Sequence, residues 1–179
     1  MNKFLVALLI GFISFNFSSC DEDDLVELLP AFDVDLKKVE LIPVKIDQTN
    51  GEWVVFSETT NLDIINNQTK DYISKIKSLK INSLSYRIVN FAGDPIGQVD
   101  GAFAVANEIS LQNKIVVKTE ADNGTIFQIT EIAELNRIAN LLKTGQSAEV
   151  KYSGSTLCDD DNMNFSIEVT FDAKVTIDP

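Results

Sequence analysis

The chain contains no histidine. That absence excludes Ser-His-Asp and Cys-His catalysis as usually built, and zinc centres that rely on imidazole. Cysteine is almost as scarce, with only Cys20 and Cys158 present, so a cluster of thiolate ligands cannot be assembled either. Positive charge is thin: 15 Lys and Arg stand against 27 Asp and Glu, a formal net charge of −12. A field of that sign repels phosphate backbones and anionic headgroups, which argues against nucleic-acid binding and against charge-driven adsorption to membranes. No Gly-rich phosphate loop and no basic patch occurs. The one long apolar run, Phe4 to Ile13, falls short of the ~18–20 residues a spanning helix needs.

What is present is concentrated first at the N-terminus. Lys3 precedes that apolar run, and Phe17-Ser18-Ser19-Cys20 follows it, then Asp21-Glu22-Asp23-Asp24. A basic start, a short apolar centre and small residues ahead of a cleavage point have the form of a secretory signal peptide. Ser18-Ser19-Cys20 resembles the lipobox of bacterial lipoproteins, with Phe17 where Leu, Val or Ile is usual. The resemblance implies a signal peptide at 1–19 and a mature chain that begins at Cys20. It also implies three acyl chains of the palmitate kind on that residue. One chain binds membranes only marginally and each buried CH₂ adds about 0.8 kcal/mol, so three chains anchor durably. The acidic run Asp21, Glu22, Asp23 and Asp24 is similar to the export signal of surface lipoproteins in one group of Gram-negative bacteria. It implies an outer-membrane protein facing the medium, the alternative being one that faces the periplasm.

Cleavage after residue 19 leaves 160 residues, enough for one domain with a real core. Only one charged residue, Lys3, is lost, so the mature balance is 14 basic against 27 acidic, a net of −13. Residues 20–35 read as a lipidated acidic tether carrying seven acids, no base and Pro30, although Leu25, Val26, Leu28 and Leu29 are apolar for a free linker. Residues 36–179 read as a single β-rich domain. With Cys20 acylated, Cys158 has no disulfide partner. The adjacent Asp159, Asp160 and Asp161 raise its pKa and make it a poor nucleophile.

Strand signals dominate the domain. Val39-Glu40-Leu41 and Val44-Lys45-Ile46 flank Pro43, which reads as an edge or bent strand. Asn50-Gly51 ahead of Trp53-Val54-Val55-Phe56 predicts a hairpin, and Asp122-Asn123-Gly124 between Ile115-Val116-Val117 and Ile126–Ile129 predicts another. Thr69 is expected to cap a short helix presenting Tyr72, Ile73 and Ile76. Thr130 is expected to cap a longer one with the stripe Ile132, Leu135, Ile138, Ala139 and Leu142, ending at Gly145 with positive φ. The clearest pattern is the last. Met163, Phe165, Ile167, Val169, Phe171, Ala173, Val175 and Ile177 alternate with polar residues, which requires an antiparallel sheet with one dry face. A weak repeat relates 53–107 to 125–178, each reading strand, short helix, strand, turn, strand. Together these predict a mainly β fold, an antiparallel β-sandwich with two short helices over a flank or an open end. The alternative is an open α+β layer with both helices on one face.

Candidate chemistry is sparse. Asp159, Asp160 and Asp161 form the densest oxygen cluster and are weak calcium candidates. They lack the alternate spacing and glycine of an EF-hand, so a solvated turn is the expected reading and no metal site is assigned. Trp53, beside Val54, Val55 and Phe56, is expected in the core; an exposed indole would instead stack on sugar rings. Tyr86 and Tyr152 carry the same two readings. Paired carboxylates for glycoside hydrolysis carry no signal among 27 acids. The stripe from Ile132 to Leu142 is expected to cover a sheet. No catalytic residue and no cofactor is expected. The reading is a non-enzymatic, lipid-anchored binding or structural module, with membrane contact through the anchor and a protein or glycan partner left open. An accessory glycan-binding or nutrient-capture role is the alternative, and a carboxylate hydrolase stands behind both.

Overall fold

A computed structural model describes residues 30–178, so the signal peptide at 1–19, Cys20 and Asp21 to Asp24 lie outside the described residues. Among the described residues, eight strands and three short helical segments follow in order. They are β1 (Phe32–Ile46), β2 (Val54–Asp63), a 3-10 segment (Lys70–Lys75), β3 (Ile76–Gly93), β4 (Gln98–Val105) and β5 (Glu108–Val116). Then come α1 (Val117–Asn123), β6 (Ile126–Gln128), α2 (Ile132–Gly145), β7 (Ser147–Leu157) and β8 (Met163–Ile177).

The strands form two four-stranded sheets, β1-β8-β3-β6 and β2-β7-β4-β5, all pairs antiparallel. The pairs β1·β8, β2·β7, β3·β6 and β4·β5 describe one long hairpin closed at β4–β5 and then rolled, which is the strand order of a jelly roll. The expected sandwich is therefore present and the open α+β layer is not. β8 explains why. Its odd residues from Met163 to Ile177 are all buried while Asn164 to Thr176 on the other face are not. One dry face of eight apolar side chains needs a second sheet against it. Tyr86 of β3 supplies the bridge, its ring 5.0 Å from Phe103 of β4 and 5.6 Å from Tyr152 of β7.

Edge management decides the rest. β1 is an edge strand, as Pro43 required, and it opens at Phe32, pairing Phe32 with Ile177. The last four residues read as tether, Phe32 to Asp35, are thus strand, with Val34 buried. Lys38 and Glu40 interrupt the inward alternation between Leu36 and Ile42. Lys38 spans the seam to β2 and pairs with Asp63. At the other edge β6 covers only Ser85 to Arg87 of β3. Both helices pack against β3 on either side of it, covering an edge that would otherwise be open. In α2 the buried stripe is Ile138, Ala139 and Leu142, with Leu135 partly buried, whereas Ile132 is 74% exposed.

Local signals misplaced several elements. Asn50 and Gly51 do take positive φ, 52° and 84°, yet the turn joins two sheets, because β1 pairs with β8 and β2 with β7. A turn sequence sets local backbone shape but not the strand's partner, and β8 offers the long apolar face. The expected hairpin at Asp122-Asn123-Gly124 is instead the end of α1. Gly124, at φ 62°, closes that helix with its N–H on Ala121 O, and β5 pairs with β4. Thr69 heads a 3-10 segment with no side-chain cap; its hydroxyl is buried, donating to Ile64 O and accepting from Asn66 N. Thr130 does not cap α2, since Glu131 holds the N-cap position without a side-chain bond. Gly145 is helical, and Gln146 takes the left-handed position at φ 63°. The repeat has a topological counterpart: shifting each strand by four places maps β1-β8-β3-β6 onto β5-β4-β7-β2. Every jelly roll contains that two-fold, so it requires no duplicated sequence.

Candidate functional site

Winding the hairpin into a jelly roll gathers alternate connections at each end. Residues 47–53, 94–97, 117–125 and 158–162 sit together at one end. The start of β1 and the finish of β8 lie at the other, as the Phe32–Ile177 pair requires. At about 3.3 Å per residue, β1 separates the two ends by roughly 45 Å.

The acidic turn 159–161 belongs to the loop end and is tied down. Asp94, fully buried, accepts N–H bonds from Asp159 at 2.8 Å and Asp160 at 3.1 Å on one oxygen and from Ile96 at 2.9 Å on the other. Asp159 accepts the Thr49 hydroxyl at 3.0 Å and Gly51 N–H at 2.7 Å. Asp161 accepts Asn162 N–H at 2.7 Å. These carboxylates serve separate donors, backbone N–H groups and the Thr49 hydroxyl, rather than one centre, and no group of three or more acidic or thiol side chains among the described residues is arranged to hold a metal ion. Asp94 was missed in the sequence, because nothing local marks one aspartate as the acceptor for a loop 65 residues away. Cys158 is buried in the same knot, its Sγ donating to Asp47 O at 3.4 Å. Burial pushes its thiol up, with Asp94 and Asp159 adding to the effect. The acids that matter are thus one of the expected three and one from another loop.

Tyr86 and Tyr152 are both core residues. Tyr86 stacks on Phe103 and, at 4.8 Å, on Phe127, and its hydroxyl accepts Asn113 Nδ2–H at 3.1 Å. Burial pushes its phenol up to about 12 and that of Tyr152 further still. The Tyr152 hydroxyl makes no well-formed hydrogen bond among the described residues, although the Tyr86 hydroxyl is near enough to push its phenol up further. It lies over Gly101, where a Cβ would come within 2.5 Å of it.

Trp53 departs from the expectation of a core residue. It is 43% exposed, and the Lys114 ammonium lies 5.1 Å from its ring centroid. The reason is parity: on β2 the even residues Phe56 and Leu62 turn inward, which sends Trp53 and Val55 outward. Trp53 precedes edge strand β2 and Lys114 lies on the opposite edge strand β5, three strand spacings away, about 14 Å. Their contact requires both side chains to lie flat across the outer face. That face has rows Val55–Ser155–Asp100–Lys114, Ser57–Ser153–Ala102–Gln112 and Thr59–Lys151–Ala104.

Two hollows are on the opposite sheet. One, about 500 Å³, lies between α1 and the end of β3 and is lined by Arg87, Asn90, Phe91, Lys118 and Asp122 among others. The second, about 220 Å³, is lined by Ser85, Arg87, Ile126, Glu168 and Thr170, with Arg87 Nε donating to Glu168 at 2.6 Å. Each contains a single carboxylate.

No protein-family model and no curated protein matches the chain. Among solved structures, it is similar to a chain of desmodium yellow mottle tymovirus at 11% identity and a TM-score of 0.30, covering 84% of this chain and 87% of that one.

Proposed function

We propose that this protein is a lipid-anchored, non-enzymatic binding module at the outer membrane of a Gram-negative bacterium, facing the medium. The observation that carries the reading is Ser18-Ser19-Cys20 running directly into Asp21 to Asp24. The fold accords with it. The anchor leads through residues 21–31 into the start of β1, at the end of the sandwich opposite the loop end. No described helix is long and apolar enough to cross a bilayer. The non-enzymatic part rests on the missing histidine.

The test is detergent phase partitioning of the full-length protein from its own membranes. Wild type is expected in the detergent phase and Cys20→Ala in the aqueous phase; equal partitioning refutes the anchor. Replacing Asp21, Asp23 and Asp24 by Asn and Glu22 by Gln is expected to protect the protein from protease added to intact cells. Continued cleavage refutes the export role and leaves the acids as tether. A second reading, glycan capture, is favoured by one observation, the exposed indole of Trp53.

A further inference from the structure

We propose that the outer face of the sheet β2-β7-β4-β5 binds a neutral polysaccharide chain, with Trp53 as its stacking platform. The proposal rests on the binding-module reading and names the site and ligand class.

Four observations converge on this face. First, Trp53 is not buried, although a core position was open to it by sequence. Its indole lies on the sheet, held by Lys114 from the far edge. The part of the indole left open to solvent offers an apolar surface to the C–H face of a pyranose, beside the Lys114 ammonium that lies over the ring. Second, the floor beside it is built from small side chains, Ser153 and Ser155 on β7 and Ala102 and Ala104 on β4. The longer Gln112 and Lys114 stand at one margin and Trp53 and Val55 at the other. Away from the Trp53–Lys114 contact, these small side chains leave the strands open to an extended polymer, with hydroxyls of Ser57, Ser153 and Ser155 and the Asp100 carboxylate in place to hydrogen-bond sugar hydroxyls. Third, the face is electrically balanced in a molecule of net charge −12: Asp100 and Glu149 are matched by Lys114 and Lys151. A neutral chain meets no repulsion there, while an anionic one meets the surrounding field. Fourth, neither helix packs over the face, since α1 and α2 lie chiefly against β3. The outer face of the other sheet is instead crossed by the ion pairs Lys37–Asp172, Lys174–Asp33 and Arg87–Glu168. A protein partner would call for apolar anchors over ~800 Å², and among the described side chains of this face Trp53 and Val55 are the exposed large apolar groups.

Trp53 is the sole tryptophan, so its emission reports this site alone. Full-length protein in detergent micelles would be titrated with dextran, xylan, mannan and pullulan, and run through native gels containing each polymer. A saturable change in emission with at least one polymer, and retardation by the same polymer, is the expected result. Trp53→Ala should weaken retardation about tenfold or more with an unchanged melting temperature, and Trp53→Tyr should restore much of it. Retardation undiminished in Trp53→Ala overturns the site. Silence from all four polymers, or crosslinking of this face to a protein in their place, overturns the ligand class. Neither outcome touches the anchor, because Cys20→Ala partitioning is read independently and the released protein still carries the face.

Discussion

At the scale of single residues, the two buried tyrosines make different predictions. Tyr86→Phe strands the Asn113 amide and should cost about 1 kcal/mol, the usual net value of one hydrogen bond. Tyr152→Phe removes a hydroxyl that makes no well-formed hydrogen bond, only a coupling to the Tyr86 hydroxyl, and should leave stability nearly unchanged. Urea unfolding midpoints at constant slope check both, and equal losses in the two variants would contradict the hydrogen-bond assignment. Cys158 should be inert in the native protein, because burial first, and then Asp94 and Asp159, hold its thiol protonated. A thiol reagent at pH 8 is expected to modify it only after unfolding; rapid native labelling would show that the loop knot opens. Neither tyrosine's environment was legible in the sequence, where Tyr86 and Tyr152 look alike. Only the register against Asn113 and Gly101 separates them.

Among elements, the critical contact is between β4 and β7, where Gly101 faces Gly154. A Cβ on Gly154 would sit 2.1 Å from Asp100 O and 2.8 Å from Gly101 Cα, and both are backbone atoms that cannot swing away. Gly154→Ala must therefore push the strands apart, at a cost of about 1–3 kcal/mol or more. Thermal melting with far-ultraviolet circular dichroism checks it; an unchanged midpoint would mean that the sheet accommodates the methyl. The alternation of β8 and the stripe of α2 were readable beforehand because periodicity is a local property of the chain. The ends of α2 were not, since Thr130 and Gly145 carry good cap chemistry one position away from where packing against β3 and β7 stops the helix. The hairpins failed for a related reason. Turn residues at Asn50-Gly51 and Gly124 specify positive φ, and both a sheet crossover and a helix end use it.

Over the whole molecule, the buried phenols set an alkaline limit. Both folded pKa values lie above the unfolded value of about 10, so the unfolded chain releases protons first as pH rises. Stability should be flat in this respect below pH 10 and fall as pH climbs from there through about 12. Melting temperatures from pH 8 to 12, with tyrosinate absorbance recorded alongside, check the sign; ionisation of Tyr86 and Tyr152 in a still-folded protein would contradict it. At this scale the division between sequence and structure is clear. Composition, the N-terminal pattern and the alternation of β8 by themselves determined a mainly β, acidic chain with a lipoprotein-like beginning, because each is written in neighbouring residues. Only the tertiary structure decided that β1 closes on β8 and β2 on β7, that Asp94 reaches the turn at Asp159, and that Trp53 lies outside on the opposite edge's Lys114. Those facts join residues 61 to 145 positions apart, and strand pairing is chosen by the burial of whole faces rather than by any local motif.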